Sequence, residues 1–199
     1  LIQALLFGDG GILAFGANCF NMAFILPYLG FFLYKLLLKK TGMRKLSAAI
    51  GSYIGINAAA FCAAVEFGIQ PLLFKNAEGQ ALYCPYPLSV SIPAMMIGHI
   101  TLFGLAEIIL TVVVLTFVEK VTPKALDAVP DKTAFKPLYI LMAVLIVLTP
   151  LGLLATGTAW GEWGADEIAG LVSGGSQLGY TPSGMTNGFE LSTLFPDYS

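Results

Sequence analysis

The chain has 199 residues, of which 57% are hydrophobic and 11% are charged, and its mean hydropathy is +0.81. Soluble domains carry roughly 25% charged residues, so this composition predicts a membrane protein. The formal net charge of −2, without a basic patch to neutralise phosphates, argues against a nucleic-acid partner.

Four long apolar stretches follow one another, at about residues 13–38, 46–74, 90–118 and 137–154. Each has the length of roughly 18–25 residues that an α-helix needs to cross a bilayer. Helices are expected because a backbone in lipid must satisfy its own hydrogen bonds. The fold class is therefore predicted to be all-α, a polytopic transmembrane helical bundle of about four spanning helices with an extracellular, Gly-rich acidic tail.

The residues before the first stretch, LIQALLF, are typical of the end of a helix that begins upstream of Leu1. A tight turn at residues 8–11, GDGG, would join that helix to the first stretch, since glycine supplies positive φ. Asp9 is interpreted either as a turn residue or as part of a loop through which a cation enters.

Two asparagines lie inside the first stretch. Asn18 and Asn21 are three residues apart, which places them near one face of an α-helix. We expect both to face the bundle. There they would form interhelical hydrogen bonds or support a substrate-binding loop. In the second stretch, the small residues at 51–65 permit close contact, either within the fold or against a partner.

Ionisable side chains also occur in the later stretches. His99 follows Met95 and Met96, so it is interpreted either as part of a soft-metal ligand set or as a buried histidine bonded to a neighbouring helix. Glu107 lies eight residues further on, about two turns along the same face. A carboxylate inside a span is a functional candidate, and its alternative is a structural pair with another helix. The same choice applies to Glu66.

The basic residues predict the orientation of the chain. They concentrate in the connections between stretches one and two and between stretches three and four: Lys35, Lys39, Lys40, Arg44, Lys45, Lys120, Lys124, Lys132 and Lys136. By the positive-inside rule, the loops at 39–45 and 119–136 are cytoplasmic, and residues 75–89 and 156–199 are external. Lys75 alone departs from this pattern.

The run QALLFGDGGILAFGANCFNM resembles the signature of the CbiM/NikM family, and GHITLFGLAEII resembles a later helix of that family. The segment LTPLGLLATGTAWGEWGADE resembles the C-terminal extension of its longer members. The resemblance implies that the chain is the substrate-binding membrane component (S component) of an energy-coupling factor transporter. It divides the chain into a membrane-embedded core at 1–135 and a C-terminal helix with an external CbiN/NikN-like or PDGLE-type extension at 136–199.

The resemblance also implies where the metal is held. The ligands of this family lie at its extreme N-terminus and on an upstream histidine, positions that precede Leu1. Gln3, Asn18 and Asn21 match residues expected to orient those ligands. His99 does not match the ligand motif, and it stays a further candidate together with Glu107.

The resemblance implies Co²⁺ or Ni²⁺ as the transported substrate, with no organic cofactor. The sequence leaves the choice between the two ions open, because both accept nitrogen-rich ligands. The implied partners are a CbiQ/NikQ-like scaffold subunit, CbiO/NikO-like ATPase subunits, a CbiN/NikN-like small subunit and the lipid of a prokaryotic cell membrane. The chain contains no GxxxxGK[ST] motif, which agrees with ATP hydrolysis on other subunits. Two alternatives remain: a membrane enzyme that uses Glu107, His99 and Glu66 as an acid–base set, and a scaffold subunit whose polar residues only join helices.

Overall fold

The structure, a computed structural model, describes residues 15–126, 136–148, 180 and 182–186. Within these residues, three helices are long and apolar enough to cross a membrane: α1 at Phe15–Thr41, α2 at Arg44–Leu73 and α3 at Leu88–Val121. They are followed by a 3₁₀ turn at Pro123–Leu126, by α4 at Lys136–Leu148 and by the short α5 at Ser183–Thr186. The predicted all-α, polytopic architecture is confirmed. The end of the predicted fourth stretch, at 149–154, lies outside the described residues, as does most of the tail.

The turn between α1 and α2 is short, so the two helices run antiparallel. Gly42 ends α1 with a φ of 66°, a left-handed conformation that glycine adopts without a Cβ penalty. Its N–H donates to the Leu38 carbonyl at 2.9 Å. The Thr41 hydroxyl then accepts a hydrogen bond from the Met43 N–H at 3.1 Å, which leads the chain directly into α2.

Contact between α1 and α2 depends on glycine. A Cβ at Gly51 would lie 2.6 Å from the Gly30 carbonyl oxygen, and one at Gly55 would lie 2.7 Å from the Leu26 carbonyl oxygen. Small residues let helix backbones approach closely in membranes, where dispersion contacts drive association. The buried residues of α2 are Ser47, Ala48, Gly51, Gly55, Ala59, Ala60, Ala64 and Gly68. The small residues at 51–65 therefore contribute to contacts within the fold.

Large apolar side chains cover the outside of the helices. On α1, Phe20 stacks on Phe24 at 6.0 Å between ring centroids, and Phe24 stacks on Tyr28 at 5.4 Å. All three side chains are exposed. Exposed aromatic rows of this kind suit a lipid environment, in which apolar surface carries no hydration cost.

The connection between α2 and α3 holds part of the C-terminal region. The Ala81 N–H donates to the Tyr180 hydroxyl at 3.0 Å, and the Gly184 N–H donates to the Leu82 carbonyl at 2.8 Å. Pro182, between the two, is fully buried. Tyr180 and Gly184 therefore lie against the α2–α3 connection, on the same end of the molecule.

At the opposite end, an acidic side chain joins two helices. Glu119, near the end of α3, lies 3.7 Å from both Arg44 and Lys45 at the start of α2. These side chains are partly exposed, so the pairs contribute little to the free energy of unfolding. They do place the end of α3 beside the first turn of α2.

Candidate functional site

Two of the spanning helices change from α-helical to π-helical backbone where the sequence places polar residues inside a span. The backbone is π-helical at Cys19–Ile25 in α1 and at His99–Phe103 in α3. π-helical turns are rare in proteins overall, and those that do occur are often found at functional sites. A π turn holds more residues than an α turn, so it changes which side chains share a face.

The first π-helical segment presents Asn21 to the interior. Asn21 is 4% exposed, and its Nδ2 donates to Glu66 Oε2 on α2 at 2.8 Å. A hydrogen bond to an ionised carboxylate is stronger than one between neutral groups. The Asn21 Oδ1 is buried and has no hydrogen-bond partner among the described residues. The pair therefore leaves one amide oxygen, held in place by Glu66, able to accept a hydrogen bond.

Asn18 does not share this environment. Its side chain is exposed, whereas that of Asn21 is buried. The expectation that an asparagine of this pair faces the bundle is met by Asn21, and for Asn18 it stays a prediction. The expectation assumed α-helical spacing, whereas the backbone is π-helical from Cys19 onwards. Gln3 and Asp9 lie outside the described residues.

His99 is held by its own helix rather than by a neighbouring one. Its Nδ1 donates to the Met95 carbonyl at 2.9 Å, and its ring lies 5.0 Å from the Phe103 ring. The contact with Met95 uses the backbone oxygen and not the sulfur. Among the described residues, no group of three or more His, Cys, Asp or Glu side chains could hold a metal ion.

The second π-helical segment also accommodates a tyrosine from α2. The Tyr53 hydroxyl donates to the Ile100 carbonyl at 2.8 Å. A Cβ at Gly104 would lie 2.5 Å from the Tyr53 ring and 2.5 Å from the His99 carbonyl oxygen. Glycine at 104 therefore leaves the space that Tyr53 occupies against α3.

Glu107 lies elsewhere, in a cavity between α1 and α3. Its Oε1 accepts a hydrogen bond from the Thr111 hydroxyl at 3.1 Å. The cavity has a volume of about 540 Å³, and its described lining includes Glu107 but neither His99 nor Glu66. The acid–base set that the membrane-enzyme alternative requires does not converge there.

The geometry so far defines a polytopic helical membrane protein with an amide–carboxylate pair inside its spans. The family described as "Cobalt uptake substrate-specific transmembrane region" (CbiM) matches residues 1–125. The PDGLE domain matches residues 136–199. The chain belongs to the CbiM family, which confirms the resemblance seen in its sequence.

Two relatives match over the whole chain. The probable fused nickel transport protein LarMN of Lactiplantibacillus plantarum is 47% identical over 199 residues, which are all of this chain and 60% of the relative. The fused nickel transport protein NikMN of Rhodobacter capsulatus is 43% identical over 218 aligned residues, which cover all of this chain and 62% of that protein. The chain thus spans about 60% of the length of these relatives.

A solved crystal structure, described as that of a transition metal transporter, is similar in fold. It is 51% identical in sequence, with a TM-score of 0.59, and the match covers 70% of this chain and 59% of that one. All three relatives bear the names of transport proteins. The comparisons therefore favour a transporter component over the membrane-enzyme alternative.

The sequence did not decide whether Glu66 is a functional carboxylate or a structural partner of another helix. Its partner, Asn21, lies 45 residues away along the chain. A polar residue in each of two adjacent spans is a usable signal, because such side chains tend to pair inside a membrane. The sequence had no comparable signal for the π-helical turns, since Cys19–Ile25 contains no proline.

Proposed function

We propose that the chain is the substrate-specific membrane component of an ATP-driven energy-coupling factor transporter that takes up Co²⁺ or Ni²⁺. The observation that carries the proposal is the match of the cobalt-uptake family to residues 1–125. The names of the two whole-chain relatives favour Ni²⁺ between the two ions.

In this proposal the primary metal ligands precede Leu1, and residues of this chain orient them. Asn21 is the best supported, because Glu66 holds its Nδ2 and leaves its buried Oδ1 as an acceptor. An acceptor of this kind can take the N–H of a ligating imidazole or amide and fix its direction, as partners of metal ligands commonly do. Gln3 and Asn18 are assigned the same role through the family pattern. His99 and Glu107 remain further candidates.

The chain would act with other subunits. We propose a CbiQ/NikQ-like scaffold in the membrane and CbiO/NikO-like ATPase subunits, since this chain has no phosphate-binding loop. Residues 1–135 form the membrane core, and residues 136–199 supply a fused CbiN/NikN-like part. The match of the PDGLE domain to residues 136–199 supports this division.

Uptake should be measured on the full-length protein together with its scaffold and ATPase subunits in liposomes. We expect radioactive Ni²⁺ or Co²⁺ to accumulate only with ATP on the cytoplasmic side. An ATPase variant that cannot hydrolyse ATP is the matched control. A reaction supplied with equal amounts of Ni²⁺ and Co²⁺ measures which of the two ions is preferred for uptake. A complete complex that neither binds nor accumulates either ion would contradict the proposal.

The orientation is proposed with the connections at 39–45 and 119–136 in the cytoplasm, and with 75–89 and 156–199 outside. The contacts of Tyr180 and Gly184 with the α2–α3 connection support a common side for residues 75–89 and the C-terminal segment.

A cysteine introduced by Glu78→Cys should react in intact cells with a membrane-impermeant maleimide, and one introduced by Lys40→Cys should not. Both positions are exposed. The native Cys84 is a poor reporter, because burial raises the pKa of its thiol, although a hydrogen bond with the Tyr86 backbone opposes this, and only the thiolate reacts. The unmodified chain is the background control. The reverse labelling pattern would show that the chain has the opposite orientation in the membrane.

A further inference from the structure

The π turn of α3 withdraws a hydrogen bond from one backbone carbonyl. The Gly104 N–H donates to the His99 carbonyl, five residues back. In an α-helix the same N–H would donate to the Ile100 carbonyl, four residues back. The Ile100 carbonyl therefore loses its α-helical donor inside a membrane span, where water is not at hand to replace it.

A side chain of α2 supplies the missing hydrogen bond. The Tyr53 hydroxyl donates to the Ile100 carbonyl at 2.8 Å. Gly104 leaves room for this contact, since a Cβ at that position would lie 2.5 Å from the Tyr53 ring. Gly98 lies at the other end of the turn, where a Cβ would lie 3.0 Å from the Phe103 ring. The π turn is thus flanked by glycines and completed by a tertiary contact with α2.

Both ends of α3 are held against α2. Near the start of α3, the Ser91 hydroxyl donates to the Ala64 carbonyl at 2.8 Å. Near its end, Glu119 lies 3.7 Å from both Arg44 and Lys45. The π turn lies between these contacts and holds one residue more than an α turn would. Its presence therefore decides which residue in the first part of α3 faces α2.

We propose that the Tyr53–Ile100 hydrogen bond is a latch that selects between two registers of α3. With the bond made, α3 keeps its π turn. With the bond released, the Gly104 N–H returns to the Ile100 carbonyl, and the turn becomes α-helical. Ile100 then takes the place of His99, and each residue before it moves up by one place. The register change moves the imidazole of His99 and the α2–α3 connection, and it does not depend on metal transport.

Disulfide crosslinking of the full-length protein in liposomes distinguishes the two registers. One chain carries Ala64→Cys and Ser91→Cys, at positions that are in contact in the π register. A second chain carries Ala64→Cys and Ile92→Cys, because Ile92 takes the place of Ser91 in the α register. In both chains alanine replaces the native cysteines, which are Cys19, Cys62 and Cys84.

Adding Tyr53→Phe to both chains should raise the ratio of the 64–92 crosslink to the 64–91 crosslink by about 2- to 10-fold, the effect of one net hydrogen bond. Phenylalanine keeps the ring against Gly104 and removes only the hydroxyl. Each variant should elute from gel filtration as the unmodified chain does. An unchanged ratio would overturn the proposal, and so would an equal loss of both crosslinks, which would mean that Tyr53 only holds α2 and α3 together.

Deletion of Thr101 provides the matched control. Its side chain is exposed, so the deletion removes no buried group. Without Thr101, His99 lies four residues before Gly104, and the same N–H and carbonyl form an α-helical bond. The Ile100 carbonyl then gains the Leu105 N–H, and the tyrosine substitution should leave the crosslinking ratio unchanged. The same rise in the ratio with and without Thr101 would show that the hydroxyl does not act through the π turn, which would also overturn the proposal.

Discussion

Replacing Asn21 with alanine should weaken Ni²⁺ or Co²⁺ binding to the complete complex by about 10- to 100-fold, the usual effect of removing a group that orients a metal ligand. The physical reason is local. Asn21 is almost fully buried, and its Nδ2 is bonded to Glu66 at 2.8 Å. Alanine removes both the proposed acceptor and the partner of a carboxylate inside the membrane. Metal per complex, measured by mass spectrometry after titration, gives the result.

Asn57→Ala is the matched control for this substitution. Asn57 is an amide in α2 whose Oδ1 is also buried without a partner among the described residues. Its Nδ2, however, bonds to the Tyr53 carbonyl within the same helix at 2.8 Å. The Asn57→Ala substitution should leave metal affinity nearly unchanged. Glu66→Gln should fall between the two, because the amide oxygen still accepts from Asn21 but without the charge. Equal metal affinity in the Asn21 and Asn57 variants would exclude the positioning role.

Replacing Gly51 with valine should destabilise the fold by about 1–3 kcal/mol, the range for overpacked positions. A Cβ there would lie 2.6 Å from the Gly30 carbonyl oxygen and 3.3 Å from the Tyr34 backbone nitrogen. Both neighbours are backbone atoms, which cannot move aside as a flexible side chain can. α1 and α2 must therefore separate, and with them the Asn21–Glu66 pair. Thermal unfolding in detergent, followed by circular dichroism, measures the loss.

The control for this effect is Gly16→Val, in the first turn of α1. No described atom lies within 4 Å of a Cβ at that position, so a bulkier side chain meets no obstacle there. The unfolding temperature should stay close to that of the unmodified chain. An equally large loss at both positions would mean that valine in the helix, rather than the contact between α1 and α2, is the cause.

Much of the architecture could be read from hydropathy. The predicted stretches at 13–38, 46–74 and 90–118 correspond to α1, α2 and α3 as the structure has them. The prediction of these spans succeeded because the cost of placing polar groups in lipid is summed over about 20 neighbouring residues, so a spanning helix leaves a continuous apolar run in the sequence. The family signature was also legible, since its match extends over residues 1–125.

The site was only partly predictable. Asn21 was expected to face the bundle and does so, because an amide in lipid is stable only where it is bonded. Asn18 was paired with it by α-helical spacing, and the structure has π-helical backbone at Cys19–Ile25 instead. His99 and Glu107 were likewise assigned to one face. A π-helical segment at His99–Phe103 separates them, and their contacts differ.

By itself, the sequence determined that this is an all-helical membrane protein of the CbiM family, because span length, hydropathy and a family signature are all properties of continuous runs of residues. Only the tertiary structure decided that Glu66 meets Asn21 across 45 positions. It also decided that Glu107 lies in a separate groove between α1 and α3. These pairings depend on the rotation of each helix and on glycine contacts such as that of Gly51 with Gly30. Such contacts are formed between residues far apart in the chain, so no local pattern specifies them.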